Sequence, residues 1–491
     1  MARSAEPELP DLGVGIIYSP EIEPLLLETG SLIQVVEVEP QTMWLHFPGS
    51  PAGFKEPPGL VERLAGLPGH KLVHSVAMPV GGTTLPDDAQ LSGVRRWAGR
   101  LAAPWVSEHL SFNETREHHA GFFLAPRQTE AGLAAVVASV RALQEAMPVP
   151  VAVETGVNYL KRRADEIPDG DFIAEVSRRT GCGILLDMHN VYTNALNGRQ
   201  SVEQFVSSLP LERVWELHLA GGMDLDGFWL DGHCDAIPER LVELTREILP
   251  ALPNVHALIF EVFPSFVPLV GWPKIRAQIE RMRDLWAARR TGQANGTVTR
   301  AAAEPWARPG AAPEEWEREL ARLVVGWAPS GTPLSLELAV DPGVRLMQKL
   351  VREFRGSMLV NVLRFTMRLL ILTLGEEGAM TVLRAYWDKV PPQFYATTEA
   401  ARFLDFLDEA DLKIPRLHEV MSFERALMAT AMDDQVRVVK FAADILPLLR
   451  ALAEGELPAQ PGRAGDFEIE ITPDDIGGNP VGIWGQRAPS H

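Results

Sequence analysis

Cysteine is scarce in this chain: Cys182 and Cys234 are the two in 491 residues. They allow one disulfide at most, which could not scaffold a chain of this size, and no CxxC or zinc-finger spacing exists. Positive charge is also short. The net charge is −19, and an acidic chain repels phosphates, which argues against a general nucleic-acid binder. A long unbroken apolar run is missing too. The most apolar stretch, Met358–Leu374, is interrupted by Arg364 and Arg368, so it reads as a buried helix and not as a membrane span. The opening MARSAEPELPDLG lacks an apolar core, so no secretory signal is expected and a cytoplasmic location is. No GxGxxG follows the first apolar run, which disfavours a dinucleotide-binding sheet.

What is present is globular material. Hydrophobic residues make up 46% and charged residues 23%, and the length implies two or more domains. Eight short runs rich in Val, Ile and Leu occupy 13–18, 33–39, 72–78, 105–110, 151–154, 183–187, 214–219 and 257–262. Several are almost continuously apolar, as strands buried on both faces of a parallel sheet are. Segments of helical period lie between them, among them 85–101, 129–146, 172–180, 201–209, 238–249 and 272–288. Strand and helix alternating eight times predict a (β/α)8 TIM barrel over 1–290. Residues 291–313, rich in Ala, Gly and Pro, read as a linker. A mostly α-helical C-terminal domain is predicted over 314–455, with helices at 314–325, 343–354, 358–374, 377–389, 397–410, 414–428 and 435–453. A Pro/Gly-rich tail at 456–491 contains one candidate edge strand, 467–471.

The polar residues at the strand ends carry the chemistry. His74 ends the third run, Glu108 and His109 the fourth, Glu154 the fifth and Asp187 the sixth, with His189 and Asn190 just beyond. His218 lies in the seventh run, Asp231 and His233 follow it, and Glu261 ends the eighth. In a TIM barrel these C-terminal strand ends form one face, where active sites are built. Imidazoles with carboxylates and no thiolates suit iron, manganese or zinc. Clustered carboxylates raise one another's pKa unless cations accompany them, and so many candidate ligands exceed what one ion needs. Glu108 reads as a residue that orients a neighbour. Glu37 and Glu39 read equally well as strand-end charges.

The motifs also resemble a known family. GVGIIYSPEIEPLL, VVEVEP, LVHSVAMPVGGT, WVSEHLSFN, VAVETGVNYL, TGCGILLDMHNVYTNALN, VWELHLAGG and DGHCDAIP run in order through about residues 12–285. They resemble the multinuclear non-haem iron-dependent oxidative enzymes, relatives of the methanobactin-biosynthesis oxidase on a xylose-isomerase-like barrel. The resemblance implies two to three irons, dioxygen as co-substrate, and oxidative modification of cysteine or another side chain in a ribosomally synthesised precursor peptide. It implies His74, His109, Glu154, Asp187, His218 and Glu261 as catalytic ligands of two bridged metals, with Asn190, Asp231 and His233 at a third. The sequence departs from the family pattern at Thr155, His189, Cys234 and Val262, positions beside the ligands. The stretch VPPQFYATTEAARFLDFLDEADLKIPRLHEVMSFERAL resembles the helical partner proteins of these oxidases, which implies a peptide-engaging partner domain fused in the same chain.

Two rivals stand beside this reading. One is a metal-dependent hydrolase or sugar isomerase of the same barrel type, which would need no dioxygen. The other is a degenerate barrel that only binds peptide, which the full set of nine ligand positions disfavours.

Overall fold

The apolar runs do what their composition requires, because side chains on both faces of each must leave water. The computed structural model describes residues 8–46, 53–78, 80–289, 311–458 and 462–476. Eight strands pair in parallel and close on themselves: β1 (Gly13–Ile17), β2 (Val35–Val38), β3 (His70–Ser75), β4 (Val106–His109), β5 (Val151–Glu154), β6 (Gly183–Asp187), β7 (Val214–Ala220) and β8 (Ala257–Glu261). The barrel shuts where β1 pairs with β8, with Gly13 opposite Ala257. The fold is therefore the predicted (β/α)8 barrel followed by many helices. β3 ends earlier than expected, at Ser75. Beyond it the Met78 N–H turns away to donate to the Glu108 carboxylate.

Several helices around the barrel start where short polar side chains take up free N–H groups. Asp87 caps Asp88–Leu101, Thr129 caps Glu130–Ala146, and Ser201 caps Val202–Ser208. Their apolar faces and the outward strand residues form the main core. A separate cluster of Leu12, Val35, Leu72, Trp105, Ala152, Trp215, Ala257 and Ile259 contains no helix residue. It fills the barrel interior towards the N-terminal strand ends.

The helical region differs from its sequence reading in four places, the first being a helix, Pro333–Ala339, between the expected helices 314–325 and 343–354. Pro342–Val362 is one helix through the expected gap at 355–357, and it meets Arg364–Lys389, itself broken at Gly375 (φ 71°) between the expected 358–374 and 377–389, at a bend of 110°. The expected helix 358–374 is therefore split at Leu363. Its second half is secured by the buried Glu424 carboxylate, which accepts from Phe365 N at 2.8 Å and Thr366 N at 3.0 Å. The next helix after Ala396–Ala410 is Leu417–Asp433, shifted from the expected 414–428. The expected helix 435–453 is a strand, Arg437–Ala443, followed by the helix Leu446–Glu454. Its partner is Ala464–Ile471, antiparallel, which contains the foreseen edge strand. The alternation of exposed and buried residues along Arg437–Ala443 suits a two-stranded ribbon, and Pro447 fits a helix first turn. Residues 291–310 of the expected linker lie outside the described residues, and Pro313 already begins a helix. Much of the expected tail also lies outside them.

The helical region packs directly on the barrel. Trp316, Leu320, Met347 and Val351 share a core cluster with Phe112, Tyr159 and Leu230, from segments that follow β4, β5 and β7. The guanidinium groups of Arg127 and Arg163 both lie 4.9 Å from the Trp316 ring. Among the described residues no single helix is long and apolar enough to cross a membrane.

Candidate metal centre

Strand register alone sets several polar residues at one level. His109 in β4 is opposite Glu154 in β5, and Asp187 in β6 is opposite His218 in β7. Three groups of ligand atoms result, each with its atoms within 4.8 Å of one another: His74, His109 and Glu154; Glu154, Asp187, His218 and Glu261; and His189, Asp231 and His233. Most of these side chains are fully buried.

The groups are joined by two carboxylates. Glu154 turns Oε2 to His109 Nδ1 and to His74 Nε2, the latter at 3.3 Å, while its Oε1 lies 3.8 Å from His218 Nδ1. Glu261 repeats the arrangement, with Oε1 3.1 Å from His218 Nδ1 and Oε2 3.5 Å from His233 Nε2. Asp231 Oδ1 lies 2.9 Å from His189 Nδ1 and 2.7 Å from His233 Nε2. Asp187 has a double use. Its Oδ1 caps the helix Met188–Leu196 by accepting from His189 N at 2.7 Å and Asn190 N at 3.0 Å, and its Oδ2 has no hydrogen-bond partner.

The neighbours hold these groups in place. His74 Nδ1 is 2.8 Å from Ser107 Oγ. Glu108 accepts from Ser75 Oγ, Met78 N and His109 N, so it braces β3 against β4. Phe123 packs over His109 and Phe263 over His233, each with ring centroids 4.5 Å apart.

Electrostatics in the metal-free protein are strained. Burial pushes Asp187 well above the usual carboxylate range, and the charges of Glu261 and Asp231 push further. Burial would also raise Glu154, but His109 and His74 hold it well below that range. Burial would lower His74 and His233, yet adjacent carboxylates lift both to about 10. Protons on imidazoles thus balance the buried carboxylates where no cation does.

The donor set fits metal ions on a direct observation. Glu154 Oε2, Asp187 Oδ2, His189 Nε2, Asn190 Oδ1, both ring nitrogens of His218, His233 Nε2 and Glu261 Oε2 are buried without an aligned hydrogen-bond partner. Buried polar atoms are normally paired, so such a concentration of orphans needs an absent partner. Borderline nitrogen and hard oxygen donors suit iron, zinc or manganese.

The structure brings together eight of the nine residues expected as ligands, His74, His109, Glu154, Asp187, His218, Asp231, His233 and Glu261. It adds His189 to the third group. Asn190, the ninth, donates through Nδ2 to the Thr155 carbonyl at 3.1 Å and keeps its Oδ1 buried without a hydrogen-bond partner. Sequence reasoning also left out Glu37 and Glu216 as members of the cluster. With His218 they form a fourth group of fully buried atoms. The signal was present, since Glu216 and His218 are two residues apart on a strand and so face the same side.

Comparison with known proteins gives a family and a set of relatives. The family described as "RiPP precursor modification enzyme MbnB/TglH/ChrH" matches residues 14–270. A UPF0276 protein of Chromobacterium violaceum is 32% identical over 177 residues, 36% of this chain and 64% of that protein. The chain thus spans just under two thirds of that relative's length. A UPF0276 protein of Anaeromyxobacter sp. is 31% identical over 200 residues, 41% of this chain and 70% of that protein. Among solved structures, an L-ribulose 3-epimerase is similar with a TM-score of 0.37 and 15% identity, over 57% of this chain and 96% of that one.

Proposed function

Because the chain belongs to the MbnB/TglH/ChrH family of RiPP precursor modification enzymes, we propose that it oxidatively modifies cysteine, or another side chain, of a ribosomally synthesised precursor peptide, using two to three irons and dioxygen. The observation that carries this reading is the run of three ligand groups joined through Glu154 and Glu261. A single-metal hydrolytic site needs no such chain of shared carboxylates.

Iron held there would supply redox chemistry with dioxygen and an open position for a substrate thiolate. The protein's own part is geometric. His74, His109 and Glu154 would hold one ion, Glu154, Asp187, His218 and Glu261 a second, and His189, Asp231 and His233 a third, with Asn190 Oδ1 nearby. Glu154 and Glu261 each offer one oxygen to either side and so would fix the spacing between ions. The backbone amides of His189 and Asn190 keep Asp187 from swinging away. Phe123 and Phe263 wall the imidazoles and keep water off them. The helical region, which packs on segments following β4, β5 and β7, is proposed as the part that engages the peptide and presents it to this face.

The test is metal analysis of protein purified without oxygen, followed by oxygen uptake and peptide mass measurement with a cysteine-containing precursor. Two to three irons per chain with oxygen-dependent modification is the expected result. Zinc or manganese alone, unchanged after anaerobic iron reconstitution, would replace this reading with a hydrolase or isomerase. Absence of any metal after reconstitution would remove the centre itself.

A further inference from the structure

The metal reading leaves two buried carboxylates without a use. Glu37 in β2 and Glu216 in β7 are both fully buried in the barrel interior. Glu216 Oε2 accepts from the Trp105 indole N–H at 2.9 Å, which fixes it against the apolar plug. Glu37 has no such partner, and neither of its oxygens receives an aligned hydrogen bond. The group that faces it is His218, whose Nε2 lies 2.9 Å from Glu37 Oε2 and 3.6 Å from Glu216 Oε1. The other ring nitrogen, Nδ1, faces Glu261 and Glu154 in the centre. One imidazole therefore stands between the metal centre and a carboxylate on its core side.

We infer that Glu37 is the positioning residue of His218: with a metal ion on Nδ1 it would accept the Nε2–H, and so hold the tautomer in which Nδ1 presents its lone pair to that ion. The inference rests on the proposed role of His218 as a ligand. Three observations support it. A ligating imidazole generally gives its second N–H to a carboxylate or carbonyl, which sets ring orientation and basicity. Next to the Nε2 of His218, the structure offers only the two carboxylates Glu37 and Glu216 among its ion pairs, and Glu37 is the closer. A carboxylate buried at this depth destabilises the barrel unless a partner offsets it, and Glu37 meets no arginine or lysine in the described ion pairs. A cation lodged among Glu37, Glu216 and His218 is the competing arrangement, since their ligand atoms also lie within 4.8 Å. It would occupy the very nitrogen that otherwise carries the proton.

The experiment compares wild-type, Glu37→Gln and His218→Ala proteins, stripped of metal and titrated with zinc against a chromophoric chelator. His218→Ala should lose at least one zinc per chain. Glu37→Gln should bind that same zinc roughly 10–100-fold more weakly, and its metal-free Tm should fall as well, because the buried Glu37–His218 pair is broken. A purely structural Glu37 would lower the metal-free Tm and leave zinc affinity intact, and intact zinc affinity overturns the inference. Full zinc binding by His218→Ala would instead overturn the ligand reading beneath it. Nitrogen-15 histidine spectra of zinc-loaded wild-type protein, with the His218 signal assigned by its absence in His218→Ala, need no variant at Glu37. A protonated Nε2 supports the inference; a metal-bound Nε2 refutes it in favour of the competing cation.

Discussion

Replacing Glu154 by glutamine should remove more of the centre than a change confined to one ligand group, because Glu154 belongs to two of the three proposed ion-holding groups. The variant keeps the shape and deletes the charge. In metal-free protein, His74 sits at about 10 instead of 6.5; burial works against this, and the hydrogen bond and charge of Glu154 more than reverse it. A histidine raised in the folded state stabilises the fold fully below its unfolded value and ceases to do so as pH passes the folded one. At pH 7.5 about 2.5 units of that shift remain, which at ~1.4 kcal/mol per unit is about 3 kcal/mol. Breaking a buried ion pair independently suggests roughly 3–5 kcal/mol, or a Tm lowered by roughly 6–20 °C at 2–4 °C per kcal/mol. The deficit should be largest below about pH 6.5 and should fade towards pH 10. Metal content is the second readout. Glu154→Gln should lose about two ions per chain and His189→Ala about one, counted by mass spectrometry after anaerobic reconstitution. Equal losses in the two variants would refute the shared-carboxylate argument, as would a Tm deficit that does not change with pH.

Other consequences are independent of that one. His218→Ala and Glu261→Ala should each lose metal and peptide modification together; full iron with full turnover in either would remove it from the centre. Trp316→Ala should lower stability by about 3–5 kcal/mol, since the ring is fully buried between Arg127 and Arg163 and donates to the Ala125 carbonyl at 3.2 Å. Calorimetry should then show the barrel and helical regions melting apart; one unsplit transition at the wild-type temperature would contradict the interface. Burial raises Glu424 to about 7 against the hydrogen bonds that lower it. The folded chain thus keeps a proton that the unfolded chain has released between about pH 4.5 and 7, so this group's contribution falls as pH rises through that window. Glu424→Gln should gain stability relative to wild type from pH 5 to pH 8, by about 3 kcal/mol, and a pH-independent difference would show that the carboxyl is not perturbed.

How far these residues could be read in advance depended on the range of the interactions that set them. Continuous apolar runs such as Ile184–Leu186 and Leu258–Phe260 have to be buried on both faces, so the barrel strands were legible one by one. Their polar ends were legible for the same reason, because a buried strand that stops at Asp187 or Glu261 delivers that group to one face. The misread helix at 435–453 was a question of partners: Arg437–Ala443 becomes a strand because Ala464–Ile471 lies beside it. The split at Leu363 likewise depends on Glu424, about sixty residues on, arriving to cap Phe365 and Thr366.

By itself the sequence determined which residue types arrive at the C-terminal ends of eight strands, since hydrophobic period and strand polarity are local properties. Only the tertiary structure decided how those groups are divided. Barrel closure and register set His109 beside Glu154 and Asp187 beside His218. They also let Glu154 and Glu261 each serve two neighbours, brought His189 into the third group, and placed Glu37 behind His218. Those outcomes turn on ångström distances between residues up to about two hundred positions apart, which no local pattern encodes.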